Sequence, residues 1–319
     1  MTKILITGFS GFVARHFLEQ LKQGDASYYV QGIDINKPDF QWENTKKISA
    51  VFRQCNLLNR NDLEDIFCNF VPDYILHLAA FSSVGFSWQS PELCIKNNID
   101  IFLNLMEILR KIGYKGRILS VGSSEEYGNY PEDMLPLKEE YTLYPTSPYA
   151  AARVTQENLS RIYADGFDLD IVMTRSFNHI GPGQREKFVI PSFAKQLVGI
   201  AKGATDRKEI ITGDIDIVRD FLDVRDVVDA YYKLLKAGRK GEVYNICSGQ
   251  GKSLRELITK MSNMLNISVD IVQNKQLIRP NENKNIVGCN DKIIKETGWK
   301  QKITIDESLN DILNYLKTK

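Results

Sequence analysis

Six short runs rich in β-branched residues, alternating with stretches of helical periodicity, restrict the folds open to this chain more than any other feature. They are KILIT (3–7), YYVQGI (28–33), AVF (50–52), DYILHLAA (73–80), GRILSVGS (116–123) and LDIVMTRS (169–176). After the first run, Ala14, Phe17, Leu18 and Leu21 recur at helical spacing, and a second helix is expected near 59–69. Strands that alternate with helices imply an α/β fold with a doubly wound parallel sheet and helices on both faces. Beyond Phe177 the segments shorten, with glycine and proline punctuation at GPGQ and RPNE. The piece at 218–235 reads as a return to the first lobe, followed by the strand VYNIC. The expected division is a first domain of residues 1–176 plus 219–247 and a smaller C-terminal α/β lobe of residues 177–218 plus 248–319. A cleft between such lobes, over the C-terminal edge of the sheet, is where a small molecule binds.

With 319 residues the chain can fill two lobes with a substantial core. A net charge of +1 gives no reason to expect nucleic acid or an anionic membrane as partner. No apolar run approaches the roughly 18 residues of a membrane helix. The start, MTKILITGFSG, lacks a signal-peptide layout and enters a strand directly. Cys55, Cys68, Cys94, Cys247 and Cys289 are scattered, odd in number and without a CxxC pair. Reduced thiols in a cytoplasm are therefore expected, with no disulfide frame and no metal site.

The loop TGFSGFVA (7–14) joins the first strand to the first helix. Gly8 allows a tight turn, Gly11 lets the backbone approach a pyrophosphate at the helix N-terminus, and Ala14 permits close packing. Asp34 ends the second strand, where a carboxylate accepts hydrogen bonds from an adenine ribose and repels a 2′-phosphate. The pair reads as an NAD site; the alternative is a solvated turn aspartate. Further on, SPYAAARVTQE (147–157) places Tyr149 and Arg153 four apart, on one helical face. A phenol beside a fixed cation is either an acid–base device or a way to pack a helix.

The ordered set of the glycine loop, Asp34, HLAA (77–80), Asn98, VGSSEEYG (121–128), Tyr149, RSFNHIGPGQ (175–184), VRDF (218–221) and RPNE (279–282) resembles the extended short-chain dehydrogenase/reductases over nearly the whole chain. That family has a Rossmann domain and acts on nucleotide sugars. The GSSEEYG, FNHIGPGQ and RPNE blocks look most like its GDP-sugar branch, which includes GDP-mannose 4,6-dehydratase and GDP-6-deoxy-4-keto-mannose reductase. The paired glutamates are closer to the reductase.

The resemblance implies that Gly8, Ser10, Gly11, Phe12 and Val13 line the pyrophosphate and that Asp34 meets the adenosine ribose. Asn56 and Leu57 flank adenine, where an aspartate is usual in place of Asn56. Leu78, Ala79 and Ala80 pass under the cofactor, Asn98 belongs to the same site, and His179 lies on the nicotinamide side. Tyr149 takes or gives the sugar hydroxyl proton, and Ser123, rather than Ser124, bonds the reacting oxygen. A free phenol titrates near pH 10 and needs positive charge nearby to act at neutrality. The usual neighbour is lysine, and here it is Arg153, which keeps the charge but cannot relay a proton. Arg153 either forms a working dyad with Tyr149 or turns outward. Glu125 matches the glutamate that moves protons in the dehydratases; Glu126 is read as an additional acid facing solvent. Asn178, Arg219 and Arg279 are implied at the diphosphate, Glu282 at the nucleoside ribose, and Val189 and Lys195 over the base.

Two apolar stripes on one helix, Ile99, Phe102, Leu103 and Met106, and Ile101, Leu105 and Ile108, suggest burial against both the sheet and a partner, hence a homo-oligomer. The leading expectation is an NAD-dependent oxidoreductase working at C4 of a GDP-activated manno-type hexose or heptose. A GDP-mannose-type 4,6-dehydratase using Glu125 and a non-catalytic nucleotide-sugar-binding protein remain as alternatives.

Overall fold

In the first strand, β1 (Thr2–Thr7), side chains alternate between two cores. Ile4 and Ile6 join one apolar cluster, and Leu5 joins the cluster on the opposite face. The computed structural model, which describes residues 1–205, 208–278 and 280–319, extends this two-sided burial across the first half of the chain. That half continues through α1 (Phe12–Leu21), β2 (Tyr28–Asp34), β3 (Ile48–Gln54), α2 (Arg60–Asn69), β4 (Tyr74–His77), α3 (Val84–Gln89), α4 (Pro91–Lys111), β5 (Arg117–Ser123), α5 (Pro148–Gly166) and β6 (Asp170–Ser176). The rest comprises β7 (Asn178–Ile180), α6 (Val189–Ala201), β8 (Glu209–Thr212), β9 (Val218–Asp223), α7 (Val224–Ala237), β10 (Val243–Ile246), β11 (Gly251–Ser253), α8 (Leu254–Met264), β12 (Asp270–Gln273), β13 (Asn285–Ile286), α9 (Asp291–Thr297) and α10 (Ile305–Lys317).

Seven strands form one parallel sheet in the order β10-β6-β5-β4-β1-β2-β3. All six sequence-expected strands lie in it, and VYNIC supplies the seventh. On one face α1 buries Ala14, Phe17, Leu18 and Leu21, packed with Val227 and Tyr231 of α7. The other face is covered by α2, α4 and α5. Strand order reverses between β1 and β4, so a crevice opens beyond their C-terminal ends. β4 stops at His77, short of the expected Ala80. The next residues leave the ladder but stay tied to β1, with Leu78 N–H donating to the Thr7 carbonyl at 3.2 Å and Ala79 N–H to Thr7 Oγ1 at 3.3 Å.

One expectation needs correction. Residues 218–223 do not return to the large sheet. As β9 they pair with β7, β11 and β13 in a separate four-stranded sheet. α7 and β10 rejoin the first lobe, and Leu222 near the end of β9 already packs into the apolar cluster on the α1 side of the large sheet. The small sheet carries α6, α8 and α10 around a third cluster that includes Ile190, Leu197, Leu257, Met261, Leu309 and Leu313.

The two stripes of α4 also resolve differently. Ile101, Phe102, Leu105, Met106 and Ile108 all belong to the cluster beneath the sheet. Ile99 and Leu103 are half-buried, and Leu93 is exposed on the outer face. Most of the apolar surface is therefore covered by this chain's own sheet, α2 and α5.

Candidate active site

The crevice between β1 and β4 is built by close backbone approach. Gly8 has φ +71°, and a Cβ on it would lie 2.8 Å from the Ala79 backbone nitrogen, so a side chain here is both strained and blocked. Gly11 caps α1 with extended backbone and no side-chain bond, which leaves the first-turn N–H groups uncapped by any side chain. Phe9, between the glycines, turns the other way. Its ring fills the space a Cβ on Gly32 would need and meets Trp42 edge-on at 5.3 Å.

Asp34 lies where the loop meets the end of β2. Its Oδ2 accepts from Ser10 N–H at 3.0 Å and its Oδ1 from Asn36 N–H at 2.9 Å, while the Ser10 hydroxyl donates to the Asn36 carbonyl at 2.6 Å. The half-buried carboxylate is thus tied to the glycine loop as well as to its own turn. Asn56 and Leu57 follow β3: Asn56 Oδ1 accepts from Leu58 N–H, and the Leu57 carbonyl accepts from Asn104. Asn98 is buried with both ends of its amide on Phe81, accepting its N–H at 2.8 Å and donating to its carbonyl at 3.1 Å. In this structure it fixes the segment that follows Leu78–Ala80. Phe12 is stacked parallel to His179 with ring centroids 6.3 Å apart, and His16 Nε2 is 3.0 Å from the Pro182 carbonyl. Burial lowers the pKa of His179, favouring the neutral ring. Val13 is half-buried beside Phe12.

At the start of α5, the Ser147 hydroxyl accepts from Ala150 N–H at 3.1 Å and Pro148 occupies the first turn. This cap sets Tyr149 in the first turn and Arg153 one turn later, both buried. Arg153 turns inward: its Nε–H donates to the Tyr149 hydroxyl at 3.2 Å. Its Nη1 donates to the Val121 carbonyl at 2.9 Å and to Gln156 Oε1 at 2.7 Å. The outward-turned alternative does not occur. The Arg153 charge also reaches His77, whose Nδ1 lies 2.9 Å from Thr7 Oγ1; burial, and then Arg153, bring His77 down to about 3.

Ser123 ends β5, and its hydroxyl accepts from Glu125 N–H at 3.3 Å; Ser124 is buried beside it. Glu125 is half-buried at this turn. Glu126 does not face solvent as the sequence suggested. It is fully buried, and its Oε1 accepts from Ser123 N–H at 2.6 Å, closing a capping box. Burial, and next the charge of Glu157, hold its carboxyl well above the ordinary range, against the pull of the Ser123 N–H. For Glu157, burial acts in the same upward sense, but bonds from Arg175 at 2.8 Å and from Arg161 at 3.0 Å outweigh it and lower its pKa.

The residues expected at the nucleotide end sit on the second lobe. Asn178 is on β7, Val189 opens α6 and Arg219 is on β9. Arg219 and Glu282, assigned separate contacts from the sequence, are bonded to one another at 2.7 Å, and the pair is mostly buried. Lys195 is exposed and bonds Glu186 at 2.6 Å. Arg279 lies outside the described residues. Sequence reading missed Gln156, Ser120 and Ser160, which form a buried hydrogen-bonded group behind Arg153. Only the three-residue spacing of Arg153 and Gln156 hinted at it.

The chain and its fold have close counterparts among known proteins. The family model described as GDP-mannose 4,6 dehydratase matches residues 5–312. The chain is 34% identical over 313 residues, 98% of its length and 96% of the relative's, to the GDP-6-deoxy-D-mannose reductase of Pseudomonas aeruginosa. Among solved structures, RMD from Pseudomonas aeruginosa complexed with NADPH superposes with a TM-score of 0.86 at 32% identity, covering 100% of this chain and 99% of that one. UDP-glucose 4-epimerase from Thermotoga maritima with UDP-glucose gives 0.86 at 25% identity, with 99% of each chain covered. The chain is an enzyme of the extended short-chain dehydrogenase/reductase class. Within it, the chain belongs to the GDP-mannose 4,6-dehydratase family that its model match defines.

Proposed function

We propose that the protein is an NAD-dependent oxidoreductase that interconverts the 4-hydroxyl and 4-keto forms of a GDP-activated manno-type hexose or heptose. The observation that carries this reading is the inward-turned Arg153, 3.2 Å from the Tyr149 hydroxyl. A cation fixed there stabilises the negative charge that develops on the Tyr149 oxygen as a proton passes to or from the sugar oxygen. Ser123, held at the end of β5 by the Glu126 carboxyl, is assigned the hydrogen bond to that oxygen.

The crevice suits a nicotinamide dinucleotide. The flat Gly8–Ala79 contact and the N-terminus of α1, uncapped at Gly11, leave room and N–H groups for a pyrophosphate. Gly8, Ser10, Gly11, Phe12 and Val13 are assigned to it, Asp34 to the adenosine ribose, Asn56 and Leu57 to adenine, and Leu78, Ala79, Ala80 and His179 to the nicotinamide half. Such a cofactor, when bound, supplies or accepts the hydride. Asp34 favours NAD over a 2′-phosphorylated form by charge repulsion. Arg219, Arg279, Glu282, Asn178, Val189 and Lys195 are assigned to the GDP moiety. Residues 1–176 with α7 and β10 are assigned to the cofactor side and the remainder to the substrate side.

The direct test supplies a GDP-4-keto-6-deoxyhexose with NADH or NADPH, or a GDP-hexose or GDP-heptose with NAD, and follows cofactor absorbance. Turnover with a GDP-sugar but not with a UDP-sugar supports the reading; no redox change with any GDP-sugar overturns it. The dehydratase alternative is kept alive by Glu125, whose backbone is fixed by Ser123 immediately after β5. It predicts a product lighter by one water and no net cofactor change. A cytoplasmic setting accords with five free cysteines, and pairing of two copies through the outer faces of α4 and α5, where Leu93 and Ile162 are exposed, is also proposed. Sedimentation of the wild type against Ile162→Glu checks the pairing.

A further inference from the structure

Arg153 occupies a place where the resemblance leads one to expect lysine, and the two cations differ in what they require. An ammonium is a point charge with three rotatable donors, so it needs no fixed orientation. A guanidinium is a planar fork, and which nitrogen faces a neighbour depends on what holds the others. In this structure both hydrogens of Nη1 are engaged, one by the Val121 carbonyl at 2.9 Å and one by Gln156 Oε1 at 2.7 Å. With Nη1 held in this way, it is Nε–H that faces the Tyr149 hydroxyl.

Gln156 is itself held in one orientation. Its Nε2 donates to Ser120 Oγ at 2.9 Å and to the Val121 carbonyl at 3.3 Å. Turning the amide over would set two donors against each other at Arg153. Ser160 secures the far side: its hydroxyl donates to the Gln156 carbonyl at 2.8 Å and lies 3.1 Å from Ser120 Oγ, whose hydrogen is free to point to it. Ser120, Gln156 and Ser160 are all buried, so water does not compete for these bonds.

We propose that Gln156 is the positioning residue that makes arginine serviceable at position 153, fixing the guanidinium so that its Nε–H meets the Tyr149 hydroxyl. This rests on the assignment of Tyr149 as the proton-transfer group. The other titratable groups that interact with Arg153 are His77 from β4, Cys94 from α4, Glu126 after β5 and Tyr231 from α7. None of them bonds Gln156, so a change at Gln156 acts on Tyr149 through Arg153.

A double-mutant cycle tests this, because coupling between two sites shows as non-additivity. The readout is tyrosinate absorbance against pH, taken as the difference between each protein and its Tyr149→Phe counterpart, with NAD added and no sugar. Gln156→Leu in the wild type should move the midpoint upward by about one pH unit, a roughly tenfold loss of phenolate below it. In an Arg153→Lys background the same substitution should move it by less than about a third of that. Ser120→Ala, which frees the Gln156 amide without removing the side chain, should act in the same direction with smaller size, again only with arginine present; it carries the test if Gln156→Leu does not fold. Equal displacements in both backgrounds, or none in either, overturn the proposal. Because no sugar is present, an absence of GDP-sugar turnover would count against the functional assignment and leave this result standing.

Discussion

The two ends of the proposed site are built on different principles. Around Tyr149, neutral side chains and backbone carbonyls, all buried, hold one cation in place from behind. At the end proposed for the nucleotide, Arg219 and Glu282 hold one another across two distant segments, and Lys195 pairs with Glu186 at the surface. A buried neutral scaffold fixes orientation before any ligand arrives. A charged pair keeps the arginine proposed to bind a diphosphate in place at the cost of competing with that ligand for it. The first arrangement favours control of rate and the second control of binding.

That contrast can be broken by experiment. Removing the nucleotide-end cation should raise KM and spare kcat. Arg219→Ala is expected to raise KM for the GDP-sugar roughly 10–100-fold, the loss of one or two charge-assisted bonds, with kcat within about threefold. A fall in kcat with unchanged KM would move Arg219 to the other side of the comparison.

The strand that carries Arg219 also has an internal titration. Asp220 is buried and accepts four bonds, from the Ser248 N–H and hydroxyl and from the Gly249 and Gly288 N–H groups. Burial, partly offset by those bonds, raises its pKa to about 6. An acid whose folded pKa exceeds its unfolded value of about 3.9 stabilises the fold most below the unfolded value, and that contribution is lost as pH rises through the folded one. Wild type should therefore lose about 2–3 kcal/mol relative to Asp220→Asn between pH 4 and 7. Urea unfolding of both proteins across that range checks it; a constant difference would refute it.

The smallest effect concerns cofactor choice. Asp34→Asn keeps an acceptor but removes the charge, so the ratio of kcat/KM for NADH over NADPH should fall about tenfold. An unchanged ratio would show that Asp34, tied to Ser10 and Asn36, reads nothing of the ribose.

Legibility followed the same divide. Six strands and the packing stripe of α1 could be read because each is a local periodicity facing one sheet. The fate of 218–223 could not, since β9 takes its partners from three other segments. Helical spacing put Tyr149 and Arg153 on one face but could not say which way the guanidinium turns. That depends on Val121, 32 residues away, and on Gln156, whose own anchor is Ser120. Glu126 was misread because an acid after a serine-rich strand end looks solvated, until the capping box with Ser123 draws it inside. The Arg219–Glu282 pair joins residues 63 apart, and no local pattern announces it.

The account stands most directly on single-turnover hydride transfer from bound NADH to a GDP-4-keto-6-deoxyhexose, compared among wild type, Tyr149→Phe and Arg153→Met. Both variants should transfer hydride roughly 10²–10⁴-fold more slowly while keeping NADH affinity within severalfold and an unchanged unfolding midpoint. A rate in Arg153→Met equal to that of the wild type, in a folded and cofactor-bound protein, would contradict the claim that the inward-turned arginine makes Tyr149 the working acid–base group.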